Sequence, residues 1–267
     1  MDAMKTKWNS VACRTAALGL ASVLLFAGVA AGEEIRVMSS GGFTAPYNEM
    51  VPEFERRTQN RVVTSFGASM GDAPDSIPIR LARGEPVDVV ILASTVLDEL
   101  IEQGKVVRGS RVDLVRSSIG MAVRAGAPKP DISTVEALIR TLLEAKSIAY
   151  SASASGVYLS TKLFPRLGIA DQIKGKSQRI VSERVGTVVA RGDAEIGFQQ
   201  ISELLPIPGL DYVGPLPSEA QEVTVFSAGV ATGAKNPEAA RELIQFLASP
   251  VTVPAIRKAG LEPVTSR

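Results

Sequence analysis

The chain of 267 residues sets 29 Lys and Arg against 28 Asp and Glu, and a formal net charge of +1 gives no electrostatic case for nucleic acid or anionic membranes as partners. It holds no histidine and one cysteine, which removes the usual zinc, copper and iron ligands and the Ser-His and Cys-His nucleophile pairs. Any acid–base work falls to Asp, Glu, Lys or Tyr, and neither a metal nor a cofactor is expected.

Lys5, Lys7 and Arg14 precede an apolar run over residues 16–31 that closes in small residues. Residues 1–31 therefore read as a secretory signal peptide cut after Ala31 or Gly32, since the run is short for spanning a bilayer. Cys13 would leave with it, and the remaining chain, near neutral and without cysteine, is expected in the periplasm. That chain suffices for one large or two medium domains.

From Ile35 onward strand and helix alternate. A strand over 35–38 is followed by a helix over 46–57, a strand over 61–66, a short helix over 77–83, an apolar strand over 87–92 and a helix over 95–103 that stops at Gly104. Apolar runs, rather than clean polar alternation, argue for mostly parallel sheets covered by helices on both faces. A β-rich stretch over 119–123 follows a turn at Ser117-Ser118 and meets a Gly/Pro cluster over 126–130, the expected crossing between domains. Ser133 and Glu136 then have the spacing of a capping box opening the helix to Glu144.

The grammar repeats beyond it: strand 147–150, the turn 151–156, a helix over 157–167, strand 179–181, a helix opened by Ser182 and ending at Gly192, and strand 195–198 running into Gln199-Gln200. A strand over 223–231 leads back, and helices over 238–248 and 253–258 close the chain. The expected division is a first lobe of residues 32–125 plus 232–267 and a second lobe of residues 126–231.

Ser-rich or Gly-rich turns recur at strand ends: Ser39-Ser40-Gly41, the turn holding Ser69, Ser153 to Ser155 before Gly156, and Ser182 to Arg184. Strand ends of a doubly wound fold gather at one edge, where helix N-termini present unpaired N–H groups to small anions. A cap or plain turn is the structural reading of any one of them, and four at the same strand ends favour an anion cleft.

In this order the stretches SSG, the Ser69 turn, RGEPVDVVI, SGVY, ARGDAEIGF and FLAS…AGLEP resemble the type II periplasmic binding proteins, and within them the molybdate-binding-protein family. The resemblance spans essentially the whole chain after the signal peptide and implies a two-lobed α/β fold with the ligand between lobes. It assigns hydroxyl ligands to Ser39 or Ser40 and to Ser69, a third turn to Ser153 through Ser155, and a backbone donor to Val185. Gln199 stands where molybdate binders have a tyrosine, a departure that turns the expectation toward a larger anion. Arg80 and Arg184 suit carboxylates, which guanidinium groups hold through paired N–H bonds. The chain also resembles the aconitate isomerase branch of the same fold.

Two functions follow. One is a monomeric solute-binding protein that closes on a carboxylate-rich organic acid, or a molybdate-like oxyanion, and delivers it to an ABC permease. The alternative is an isomerase moving an allylic proton between trans-aconitate and cis-aconitate. Glu183, Tyr158, Tyr150 and Lys162 are the titratable residues nearest the expected cleft, and the sequence singles out none of them as a base. Binding is the reading the sequence favours, because catalysis needs a perturbed base.

Overall fold

The computed structural model describes residues 32–181 and 183–264. The signal peptide expected over residues 1–31 lies outside them.

Two sheets organise the chain. The first takes β1 (Glu34–Ser40), β2 (Arg61–Gly67), β3 (Val89–Ala93) and β4 (Val112–Ser117), with α1 (Thr44–Thr58), α2 (Ile77–Ala82) and α3 (Ser94–Glu102) between them. The second takes β5 (Ile119–Arg124), β6 (Ile148–Ser151), β7 (Ser177–Ile180), β8 (Ile196–Gln200) and β9 (Leu210–Pro215). Its helices are α4 (Val135–Glu144), α5 (Ala154–Tyr158), α6 (Phe164–Arg166), α7 (Ala170–Ile173), α8 (Val185–Arg191) and α9 (Ile201–Leu204). The chain then returns through β10 (Thr224–Val230), α10 (Pro237–Leu247), α11 (Val253–Lys258) and β11 (Glu262–Pro263).

Strand order is β11-β4-β10-β3-β1-β2 in the six-stranded sheet and β7-β6-β8-β5-β9 in the five-stranded one. The outcome is the expected pair of helix-flanked α/β lobes. The sheets themselves are mixed: β2-β1-β3 and β7-β6-β8 run parallel, whereas β10 and β5 enter antiparallel to both neighbours.

Alternation along the strands fills both faces. In β1 and β3, Ile35, Val37, Val89 and Ile91 pack with Phe43, Tyr47 and Phe54 on one side, while Met38, Val90 and Leu92 pack with Leu81, Leu97 and Leu100 on the other. Period-2 geometry sends neighbouring residues to opposite faces, so covered sheets need the continuous apolar runs seen in the sequence. The second sheet does the same, with Met121, Ile148, Ile196 and Phe198 toward α4 and α6, and Ala149 toward Val185 and Val189 of α8.

The outward crossing lies elsewhere than the Gly/Pro cluster places it, and the return precedes the strand over 223–231 rather than following it. β4 ends at Ser117 and β5 begins at Ile119 in the other sheet, so the outward crossing precedes Gly126 by several residues. The return falls between Pro215 and Thr224, ahead of the segment near Ala231. Extended chain can step from one sheet to another without a turn. The Gln221 side chain joins the two crossings, accepting from Ile119 N–H at 2.8 Å and donating to Ile119 C=O at 3.0 Å. Residues 126–130 instead form a loop at the far end of β5, where Gly126 adopts φ 79° and donates to Asp211. The cap of α4 is likewise Thr134, whose hydroxyl accepts from Ala137 N–H at 3.1 Å, rather than Ser133.

Candidate functional site

The C-terminal ends of β1, β2, β6 and β8 converge on a cavity of about 280 Å³ between the lobes. That is small for a ligand pocket, and its surface mixes hydroxyls, amides and backbone with the rings of Phe66 and Phe226.

The first lobe supplies backbone at its glycines together with Ser40, Thr44, Asp75 and the rings of Phe66 and Phe226. β1 stops at Ser40, which caps the 3-10 turn Gly41–Phe43 leading directly into the fifteen residues of α1. The first N–H groups of a helix lack intrahelical partners and carry the positive end of its dipole, and Gly41 and Gly42, at that position, line the cavity. Gly67 and Ala68, at the end of β2, line the neighbouring stretch.

From the second lobe come three more serines and most of the charges. Ser151, Ser153 and Ser155 line the cavity where β6 turns into α5, and Ser151 and Ser155 share a hydroxyl–hydroxyl bond of 3.1 Å. Gly156 makes that turn possible, because a Cβ there would overlap the Ser151 carbonyl. Arg184, the N-cap of α8, lines the cavity half-buried and makes no ion pair among the described residues.

Glu203 completes this wall, and the sequence analysis missed it. β8 ends in Gln199-Gln200 and passes straight into the short α9, which carries Glu203 one turn on from Gln199. Gln199 Nε2 donates to Glu203 Oε1 at 2.9 Å. Across the lobe boundary the same oxygen rests against Gly41, where a Cβ would overlap it. Burial pushes the Glu203 pKa up to about 7, against the lowering effects of the Arg184 charge and the Gln199 hydrogen bond. A carboxyl that titrates near neutrality, beside a cation and inside a cavity, can both take and return a proton. The one signal available beforehand was a glutamate four residues after an amide at a strand end, since such residues share a helix face.

Of the residues singled out from the sequence, Ser40, Gly41, Ser153, Ser155, Arg184 and Gln199 are brought to the cavity. Several others are not. Ser39 alternates away from it and is fully buried in β1. Ser69 supports its own turn: its hydroxyl accepts from Ala93 N–H at 3.0 Å, and its backbone N–H donates to Ser153 Oγ at 3.2 Å across the lobes. Arg80 is drawn to Glu85, with Nε 2.7 Å from the carboxylate. The Val185 N–H donates to Gln199 Oε1 at 3.0 Å and is therefore occupied by the protein's own amide.

Among the four titratable candidates only Glu183 lines the cavity, at its rim, where two bonds to Arg191 of 3.0 and 3.1 Å hold its pKa below the usual range. Tyr158 is buried and donates to the Ala220 carbonyl at 2.9 Å. Tyr150 packs edge-on against Phe164, and Lys162 is exposed beside Glu222. Ser182, expected to cap α8, lies outside the described residues, and the cap position of that helix belongs to Arg184.

The lobes meet around the cavity. Ser202 Oγ donates to the Gly42 carbonyl at 2.7 Å, and at the opposite side Arg179 pairs with Asp72 at 2.7 Å.

A family model described as bacterial extracellular solute-binding protein matches residues 35–262. An aconitate isomerase from Pseudomonas sp. is 48% identical over 87% of this chain and 89% of its own. The molybdate-binding protein ModA of Azotobacter vinelandii is 26% identical over 88% of this chain and 92% of its own. The solved periplasmic molybdate-binding protein of Azotobacter vinelandii superposes with a TM-score of 0.69 at 21% identity, covering 87% of this chain and all of that one.

Proposed function

The chain belongs to the bacterial extracellular solute-binding protein family, and we propose that it is an aconitate isomerase, interconverting trans-aconitate and cis-aconitate with Glu203 as the acid–base group. The observation that carries this reading is the Glu203 carboxyl itself, set in the interlobe cavity beside Arg184 with its pKa raised to about 7. The similarity to a relative named aconitate isomerase agrees with it. So does Gln199 on the Val185 N–H, which leaves that donor unavailable to a small oxyanion.

The chemistry follows from the groups present. The Glu203 carboxylate takes a proton from the substrate methylene, whose acidity comes from the adjoining carboxylate and carbon–carbon double bond. The released electron pair spreads over the three-carbon allylic unit and its carboxylates. Arg184, the serine hydroxyls and the helix N-terminus at Gly41 and Gly42 line the cavity where that charge would develop. Return of the proton from Glu203 to the far allylic carbon shifts the double bond and permits the other geometry. Protons and electrons balance without a cofactor.

The sequence analysis favoured transport binding for want of a perturbed base, and Glu203 supplies one. Delivery of an organic acid to a permease is the second reading, favoured by the family and its two-lobed fold. Incubating the protein with trans-aconitate and following proton NMR separates them. Conversion to a cis/trans mixture at a rate proportional to protein supports the isomerase, whereas saturable binding without conversion supports transport.

A further inference from the structure

We propose that Gln199 is a positioning residue for this reaction, locked by α8 so that it can only donate to Glu203. The inference rests on Glu203 being the acid–base group. Gln199 is 4% exposed at the end of β8 and makes two hydrogen bonds. Its Oε1 accepts from Val185 N–H at 3.0 Å, and its Nε2 donates to Glu203 Oε1 at 2.9 Å.

The first bond determines the second. A backbone N–H is a donor and nothing else, so it fixes which end of the amide is oxygen and turns the NH₂ end toward Glu203. A carboxyl oxygen that accepts from an NH₂ group is the less favourable one to carry the proton, because the carbonyl oxygen is the better acceptor. Proton exchange is thereby directed to Glu203 Oε2, which makes no hydrogen bond among the described residues and is not fully occluded. The lock also sets the ionisation of Glu203, because a hydrogen bond donated to a carboxylate favours the charged form. The other charged groups around the cavity are Arg184 at the N-cap of α8, Glu183 beside it and Asp75 before α2, and none hydrogen-bonds to Glu203. From the first lobe only the uncharged Gly41 abuts its Oε1.

The test follows the Glu203 carboxyl by carbon-13 NMR in glutamate-labelled protein, with the signal assigned by its loss in Glu203→Gln, and assays turnover in the same samples. Gln199→Met removes acceptor and donor together. Gln199→Glu keeps an acceptor for Val185 N–H and removes only the donor, which guards against a variant that fails to fold. The titration midpoint of Glu203 should rise in both, by about one pH unit in Gln199→Met and by more in Gln199→Glu, where a second carboxylate faces it. Turnover below the midpoint should fall roughly tenfold per unit of that rise. An unmoved midpoint in two folded variants overturns the positioning role, since a merely structural residue would alter stability and leave the titration alone. Full turnover in Glu203→Gln would instead overturn the acid–base reading, whatever the Gln199 variants do.

Discussion

On the first-lobe wall of the cavity, β1 and β2 end in Ser40-Gly41-Gly42 and Gly67-Ala68; on the second-lobe wall, β8 ends in Gln199-Gln200 and α9 brings Glu203 beside Arg184. Both walls are built on strand ends, where β1 leads into α1 and β6 into α5, although the Val185 N–H that opens α8 is taken by Gln199. Each wall carries carboxylates, Asp75 on the first and Glu183 and Glu203 on the second, but only the second sets one beside a guanidinium, with its pKa raised. The first wall leaves room, Gly41 being small enough for a carboxyl from the other lobe to rest on it. A single fold can therefore serve anion binding with either wall and proton transfer with only one of them.

Removing the chemistry from the second wall should have the largest effect. Glu203→Gln keeps size and hydrogen bonding and is expected to lower isomerisation about 10²–10⁴-fold while calorimetry shows trans-aconitate still bound. Arg184→Ala, on the same wall, should cost about 2–5 kcal/mol of binding, because a ligand carboxylate in the cavity loses its charged partner. Denaturant titration should show little change in its stability, since Arg184 makes no ion pair among the described residues. The first wall should answer differently. Gly41→Ala places a methyl where Glu203 Oε1 rests, and a displacement of the carboxyl by about 1 Å should lower kcat on the order of 10²-fold. Its thermal midpoint should hardly move, because a flexible side-chain end can give way.

How much of this contrast was legible beforehand differs between the walls. The first was readable because Ser-Gly-Gly after an apolar run has few meanings other than a strand feeding a helix. Gln199 and Arg184 were readable as polar residues at a later strand end. Glu203 was not, because its significance comes from burial against Gly41, 162 residues away in sequence, and from a four-residue helix too short to give a periodic signal. Ser69 and Arg80 show the opposite failure, since a hydroxyl at a strand end serves a backbone N–H as readily as a ligand, and an arginine near a glutamate pairs with it. The outward crossing was misplaced for a related reason: Gly and Pro mark sharp turns, and the step from β4 to β5 needs none.

A smaller effect sharpens the contrast through stability. The folded protein holds the Glu203 proton up to about pH 7, while the unfolded chain releases it in the ordinary carboxylate range. Stability should therefore decline as pH rises from the unfolded pKa through the folded one, and the charged, desolvated carboxylate is carried at a cost above that range. Glu203→Gln should raise the thermal midpoint at about pH 8 and change it little at about pH 4. No comparable gain is expected from neutralising Glu183, whose pKa is lowered by Arg191. The smallest effect concerns the exposed pair of Arg179 and Asp72, which joins the two lobes. Asp72→Asn should change affinity by less than about 1 kcal/mol, because solvent screens such pairs, and the change should shrink further in high salt.

The most direct measurement is the pH dependence of kcat/KM for trans-aconitate in the parent and in Glu203→Gln, compared as a ratio so that ionisation of the substrate cancels. If Glu203 is the base, the ratio rises with pH through a midpoint near 7 and then levels. A ratio that is flat, or that turns in the ordinary carboxylate range near pH 4, would contradict a cavity-held Glu203 as the group that moves the proton.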